Sequence, residues 1–432
     1  MRSSIASLRR VRISRLAPTG EGIARDDAGV GFVAGALPGE EVDAEVEEVR
    51  KNFWRGRAAA VIAGSPDRIL SPAEACPGCD WGHFDLAAAR EAKRVLFRET
   101  MQRIGKISAD RFGELPIVPS ETGYRLRNRF HVAGRGADLV VGQFAGRSHR
   151  VVPVSACRAI TPAMAALLPP VRDAIAASGA AVSELATLED RNGVHRLARV
   201  TLSETSRRQN RADAESVGAR LAPLFAGLEV GGRDGRALFQ AGNARLAIET
   251  GGRRFLVSAG SFFQGNRHLV ERLMADVAEV AGGSRPGEAL DAFGGVGFFA
   301  AALLDAGHSV TSVEGNPSAA RDAARTRQSW DDAERWRILP SSIAGFLSSS
   351  SRRFDVVVVD PPRAGLARLT RPIAERARRT LVYVSCDPAT LARDLAELIS
   401  DFEIAGARLY DLFPLTHRVE SVVTLVRRPG AL

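Results

Sequence analysis

The stretch LVYVSCDPATLARDL, Leu381 to Leu395, reads as a strand that turns directly into a helix. Its apolar run, Leu381 to Val384, predicts a buried parallel strand, and Asp387-Pro388 predicts a helix start with Asp387 as N-cap and Pro388 at the first helical position. Cys386 then falls at a strand tip facing a helix N-terminus. In open parallel sheets ligands bind at the carboxyl ends of the strands, and a helix N-terminus favours a thiolate. Two readings stay open on this stretch alone: a nucleophile, or a buried cysteine acting as a small hydrophobe.

The residues around it predict a doubly wound α/β sheet from about Leu269 onward, in which strands and helices alternate. A helix from Leu269 to Val280 leads to a strand at Ala289–Asp291, then to the loop Asp291-Ala-Phe293-Gly294-Gly295-Val-Gly297. Glycines there let a ligand approach the backbone. Glu314 lies 20 residues beyond Gly294, at the end of the next strand, where an acid can accept both hydroxyls of a ribose. A nicotinamide enzyme would share these features, but the last glycine of the dinucleotide fingerprint is missing and Phe298-Phe299 stands where a pyrophosphate would need the helix end. S-adenosylmethionine carries no phosphate and suits the loop better.

Asp360-Pro361-Pro362-Arg363 predicts a rigid lip at the end of the strand that begins at Asp355. Enzymes that methylate exocyclic amines place an aromatic residue after such prolines, whereas this chain has Arg363, which leaves carbon as the acceptor. Carbon 5 of a pyrimidine is a poor nucleophile; a thiolate adding to carbon 6 makes it an enolate carbon, and a base must later remove its proton. Cys386 is placed for the first role. Glu420, an acid inside the apolar run FPLTHRVESVVTL, is placed for the second, the alternative being a structural acid paired with an arginine.

Upstream, residues 1–66 read as short strands broken by glycine and proline turns, which predicts a small OB-like antiparallel barrel. Its run GEGIARDDAGVGFVAGALPGEEV resembles a TRAM domain, the RNA-binding barrel attached to several RNA-modifying enzymes. Residues 67–265 predict a central α/β domain: Asp85 caps a helix to about Ile104, Thr161-Pro162 opens another that should break at Pro169-Pro170, and residues 190–260 read as strands with polar loops. Arg125, Arg127, Arg129, Arg147 and Arg150 could line an RNA path. The third part spans residues 266–432. A net charge of +9 in 432 residues agrees with a nucleic-acid partner. Neither a leader-like apolar segment nor a run of 18 apolar residues is present, so a cytoplasmic protein is expected. With four cysteines, two of them in Cys76-Pro-Gly-Cys79, a disulfide framework is disfavoured against metal or catalysis.

Taken in order, Phe262-Phe263-Gln264-Gly265-Asn266, DAFGGVGFF, VEGN, DPPRAG, VSCDPATLARDL and FPLTHRVE resemble the RNA 5-methyluridine (uracil-C5) methyltransferases, most of all those acting on 23S ribosomal RNA. The resemblance implies that Cys386 is the nucleophile and Glu420 the proton acceptor. It also implies that Gln264, Phe293, Glu314 and Asp360, with Gly294, Gly295 and Gly297 of the loop, hold S-adenosylmethionine. RNA would be the partner, ribosomal in preference to transfer RNA, and a monomer is expected. Two departures stand out. Arg418 occupies the place of a histidine that the family commonly has two residues before the glutamate. Ribosomal members also bind an iron–sulfur cluster through four cysteines; Cys76, Cys79 and Cys157 match three, and near the fourth stands Ser71. A partial cluster site and a degenerated site with thiols alone both remain open. The rival functions are an amine or cytosine-C5 RNA methyltransferase, a transfer RNA uracil methyltransferase, and an inactive RNA-binding relative.

Overall fold

A computed structural model describes residues 7–430 apart from 28, 70–77, 147, 155–156, 204–206 and 284. Five strands between Leu8 and Ala63 close into a barrel in which the first strand pairs with the fourth. Trp54 fills its interior with Val11, Ile13, Val33 and Val42. At its mouth Glu40, fully buried, accepts from the guanidinium of Arg68 at 2.5 Å and from the backbone N–H groups of Leu37 and Ser65.

The central sheet has seven strands. Its middle strands are Arg127–Ala133, Val182–Glu189 and Arg196–Leu202, and along the first of them burial alternates: Asn128, Phe130 and Val132 point inward while Arg127, Arg129 and His131 point out. The inward face is covered by two helices, Pro162–Ser178 and Arg207–Leu221, through residues such as Leu168, Val171, Ile175 and Val217. Two expectations fail here. The helix from Pro162 runs unbroken through Pro169 and Pro170 to Ser178, because the core grips it on both sides of the prolines at Leu168 and Val171. The helix Arg207–Leu221 lies within a stretch that reads as strands; its arginine-rich face is weakly amphipathic and hides the helical period.

The third sheet has eight strands. Five run parallel, in the spatial order Trp336–Pro340, Ser309–Glu314, Glu288–Asp291, Phe354–Val359, Ala377–Ser385; the antiparallel strand Glu420–Arg427 follows, then Phe402–Tyr410 and the short Ile117–Val118. Chain order reverses between the strands ending at Asp291 and Val359, which makes a crevice at their carboxyl ends. Both faces are buried. On one, the hairpin Leu246–Thr250/Arg253–Val257 and the helix Val270–Gly282 place Ile248, Phe255, Leu273 and Val277 in the core. On the other, Phe97 and Met101 of the helix Leu86–Gly105 pack with Leu391 and Leu395 of the helix Pro388–Leu398. Among the described residues no helix is long and apolar enough to cross a membrane.

Candidate active site

The glycine loop is built around Gly297, which caps the helix Phe298–Asp305 with φ 98°; a Cβ there would stand 2.2 Å from the Trp336 ring. Trp336 Nε1 donates to Ser312 Oγ at 2.9 Å, and Ser312 Oγ donates to Asp291 Oδ2 at 3.3 Å. Gly295, by contrast, faces open space, so the loop presents bare backbone to the crevice. Glu314 Oε2 accepts from Gly295 N–H at 2.7 Å and Oε1 from Asn316 N–H at 2.5 Å, and each oxygen keeps a second acceptor direction for a ribose hydroxyl. Phe298 and Phe299 are buried, with Phe298 edge-on to Phe263 at 5.7 Å, so no phosphate can reach the helix N-terminus between them. Phe293, half-buried, packs against the core cluster that holds Val313.

Asp360 follows the strand Phe354–Val359, and Gln264 Nε2 donates to its Oδ2 at 3.2 Å, so the loop after Phe263 reaches the same crevice. The loop that carries Asp360 is fastened to the helix after Cys386 by Asp394, which accepts from Leu366 N–H and from the Tyr383 hydroxyl, both at 2.7 Å. Asp387 caps that helix as expected, accepting from Ala389 N–H at 2.9 Å and Thr390 N–H at 3.1 Å, with Pro388 in the first turn.

Cys386 and Glu420 come together through register. Ser385 faces Ser421 in the last pair of the antiparallel ladder, and Ser421 Oγ donates to Ser385 O at 3.1 Å. Cys386 is the first residue past the strand Ala377–Ser385 and Glu420 the first of its partner strand, and the charge of Glu420 acts on the Cys386 thiol. Among the described residues no arginine forms an ion pair with Glu420.

Among the described residues no cation forms an ion pair with Asp291, Asp360 or Glu420, and the electrostatics of this crevice follow from that. Burial, then the charges of Asp360 and Glu314, push Asp291 up to about 7 against the opposing hydrogen bond from Ser312; its Oδ1 has no partner. Burial pushes Asp360 up to about 7, opposed by Gln264, and burial with the charge of Asp360 raises Glu420 well above the usual carboxylate range. Cys386 is pushed up to about 11 by burial and by Glu420 and Asp360, with Arg363 opposing. Nearby carboxylates and lost hydration thus oppose the effect expected of the helix N-terminus on this thiol. A crevice that gathers Asp291, Asp360 and Glu420, with Asp291 Oδ1 buried and without a hydrogen-bond partner, is suited to a cationic guest, which S-adenosylmethionine is. Sequence reasoning passed over Asp291 itself, although it begins the glycine loop; nothing in a sequence separates a buried strand-end aspartate from an exposed one.

Arg418, which stands where the family commonly has histidine, is half-buried close to Cys386; burial and the neighbouring Arg363 hold its pKa below the ordinary value. His417 instead turns to Asp80, Nδ1 to Oδ2 at 2.5 Å, beside Gly20 of the barrel. Trp81 completes this junction, its Nε1 donating to Gly20 O at 2.8 Å and its backbone N–H to Leu415 O at 2.9 Å. Cys79 is buried in a cluster with Tyr124, Ala159 and Leu415, and Cys157 packs against the same cluster. Cys76, Ser71 and Arg147 lie outside the described residues. Among the described residues no three metal-binding side chains gather in one place.

The sequence matches two family models: tRNA (Uracil-5-)-methyltransferase over residues 346–428 and the TRAM domain over residues 3–59. A 23S rRNA (uracil(1939)-C(5))-methyltransferase of Halomonas elongata is 34% identical over 96% of this chain and 89% of its own. An uncharacterized RNA methyltransferase of Gloeobacter violaceus is 32% identical over 96% of both. Among solved structures, a tRNA (uracil-54, C5)-methyltransferase of Pyrococcus abyssi in complex with S-adenosyl-L-homocysteine superposes with a TM-score of 0.75 at 23% identity, covering 96% of this chain and 99% of its own.

Proposed function

The chain belongs to the RNA (uracil-C5) methyltransferase family, and from that premise we propose that it forms 5-methyluridine in 23S ribosomal RNA by addition of Cys386 to the target uracil. The observation that carries this reading is the end of the antiparallel pair, where Cys386 follows Ser385 and Glu420 precedes Ser421, with the charge of Glu420 acting on Cys386 and Asp360 electrostatically linked to both. The target uridine would leave its stack to reach these residues.

S-adenosylmethionine supplies an electrophilic methyl group and a positive charge. Glu314 would take its ribose, the bare backbone at Gly295 its body, and Asp291, Asp360 and Gln264 its charged end. Cys386 Sγ, once deprotonated, forms a bond to carbon 6, and the electron pair of the 5,6 double bond moves towards carbon 5, which would take the methyl group as its bond to the donor sulfur breaks and the donor leaves as the neutral thioether. Glu420 then removes the carbon 5 proton; the released pair restores the double bond while the carbon 6–sulfur bond breaks and the thiolate leaves. A cation beside Asp360 lowers the proton affinity of both Glu420 and Cys386, so a loaded crevice holds a working base and an accessible thiolate.

RNA carrying 5-fluorouridine cannot lose the carbon 5 substituent as a proton. Wild type should form a denaturant-stable adduct with it and Cys386→Ala should not; methylation by the alanine variant would overturn the mechanism. Mapping of 5-methyluridine in cells lacking the protein tests the substrate: loss from 23S ribosomal RNA supports the reading, and loss from transfer RNA alone replaces it with the transfer RNA alternative. Residues 1–66 would serve as the RNA-binding barrel, 67–265 as the central domain and 266–432 as the catalytic domain. A second reading concerns Cys76, Cys79 and Cys157 as ligands of an iron–sulfur cluster, favoured by the shared surroundings of Cys79 and Cys157 next to the cationic Arg125. Iron and sulfide in anaerobically purified protein would support it, and iron-free, fully active protein would remove it.

A further inference from the structure

Among the described residues no helix covers the second face of the central sheet. Along Arg127–Ala133 that face presents Arg127, Arg129 and His131, and it forms the floor of a cavity of about 760 Å³ between the hairpin ending at Phe144, the loop at Arg233 and the loop at Gly260. His131 stacks on Phe144 with ring centroids 3.7 Å apart and planes 19° apart; His149 meets Phe144 edge-on at 5.5 Å, and Phe144 is still 38% exposed. Cross-strand stacking accounts for one ring face of Phe144. It does not account for an exposed aromatic ring among arginines. Arg129 and Arg199 sit on the cavity floor within 3.4 Å and 3.1 Å of Glu184 and Glu229, and Arg233 adds a charge at the rim. Burial, partly offset by Glu184, lowers the pKa of His131, so the ring is neutral and stacks as an aromatic.

The cavity also leads to the active site. Arg127 donates to Ser261 O and lies 5.8 Å from the Phe262 ring, itself 59% exposed, and two residues on Gln264 reaches Asp360.

We propose that Phe144, backed by His131, is a stacking platform for an unpaired RNA base outside the target uridine, with Arg129, Arg199 and Arg233 taking the adjoining phosphates. Single-stranded RNA is bound by this combination of aromatic rings and a basic groove, since every base has a π-face and every linkage a charge. The platform therefore selects RNA whose target uridine lies in a single-stranded or locally opened segment. The inference rests on the RNA-methylating function proposed above.

The test uses the full-length protein with a single-stranded oligoribonucleotide and with a 23S ribosomal RNA transcript. Phe144→Ala should weaken binding of the oligonucleotide about tenfold and raise KM for the transcript by a like factor, with kcat and the Kd for S-adenosylmethionine retained. The slope of log Kd against log salt should not change, because no charge is lost, whereas Arg233→Ala should flatten it by about 0.7. Phe144→Tyr should restore affinity. Phe144→Leu, which keeps apolar volume without a π-face, should not. A leucine variant that binds like wild type, or an alanine variant whose loss tracks a fall in melting temperature, would overturn the platform. Because binding is read separately from methyl transfer, failure of the proposed reaction leaves wild type unable to make 5-methyluridine while the binding series still decides this point.

Discussion

Two groups of buried carboxylates divide this protein. Glu40 in the barrel, Asp322 under the hairpin and Asp411 beside the last strand are each buried and each met by a cation from elsewhere in the chain. Arg68 reaches Glu40 at 2.5 Å, Arg245 reaches Asp322 at 2.6 Å, and Lys93 with Arg90 reach Asp411 at 2.5 Å and 3.1 Å. Burial alone would raise Glu40, but Arg68 and two backbone N–H groups outweigh it and its pKa is lowered. Asp291 and Glu420 are buried and Asp360 is half-buried at the crevice; among the described residues none of the three forms an ion pair, and all three are raised. Acids of the first kind hold elements together. Those of the second kind carry charge that no ion pair among the described residues compensates, which is what a site for a cationic donor requires.

The sharpest way to break this division is at the residue the unpaired acids surround. Cys386→Ala should abolish methyl transfer, a loss of more than about 10³-fold, while S-adenosylmethionine still binds; isothermal titration beside a methylation assay separates the two. Glu420→Gln should slow turnover by about 10²–10⁴-fold and let an RNA–protein adduct accumulate, visible on a denaturing gel with unmodified uridine; a variant turning over like wild type would move the base elsewhere. The paired group should respond in stability instead. Lys93→Ala strands Asp411 beside Arg90 and should cost about 3 kcal/mol by chemical denaturation, most of which Lys93→Met with Asp411→Leu should recover.

The smallest expected effect distinguishes the two groups by pH. Asp291 and Asp360 rise from 3.8 to about 7 on folding, so the native state holds their protons more tightly than the unfolded chain. Their contribution to stability is complete below about pH 4 and is lost as pH rises through about 7. Melting of the ligand-free protein should therefore fall between pH 5 and pH 8 more steeply in wild type than in Asp360→Asn. Over the same range the affinity for S-adenosylmethionine should gain several-fold on that for S-adenosylhomocysteine, which lacks the sulfonium charge. Equal pH dependence for the two ligands would show that the acids do not sense that charge.

Much of the site was legible because its signals are local. Asp387-Pro388 starts a helix by capping and by a fixed φ, and Gly297 is dictated by one turn against Trp336. Pairings distant in sequence were not legible. Gln264 and Asp360 lie 96 residues apart, and Lys93 and Asp411 lie 318 apart. The helix Arg207–Leu221 was missed because its exposed face dilutes the apolar period, and the break expected at Pro169-Pro170 does not occur because tertiary burial of Leu168 and Val171 overrides a local preference.

By itself the sequence determined which residues are chemically able to act: a thiol at a strand end, an acid in an apolar run, glycines in a turn, and a barrel followed by alternating strands and helices. Only the tertiary structure decided their state. Strand pairing brought together the strand ends that carry Cys386 and Glu420, and burial with the charges of Glu420 and Asp360 pushed the helix-capped thiol up to about 11. The reason is physical: propensity and capping act over a few residues, whereas hydration is lost and charges meet only when distant segments close over them.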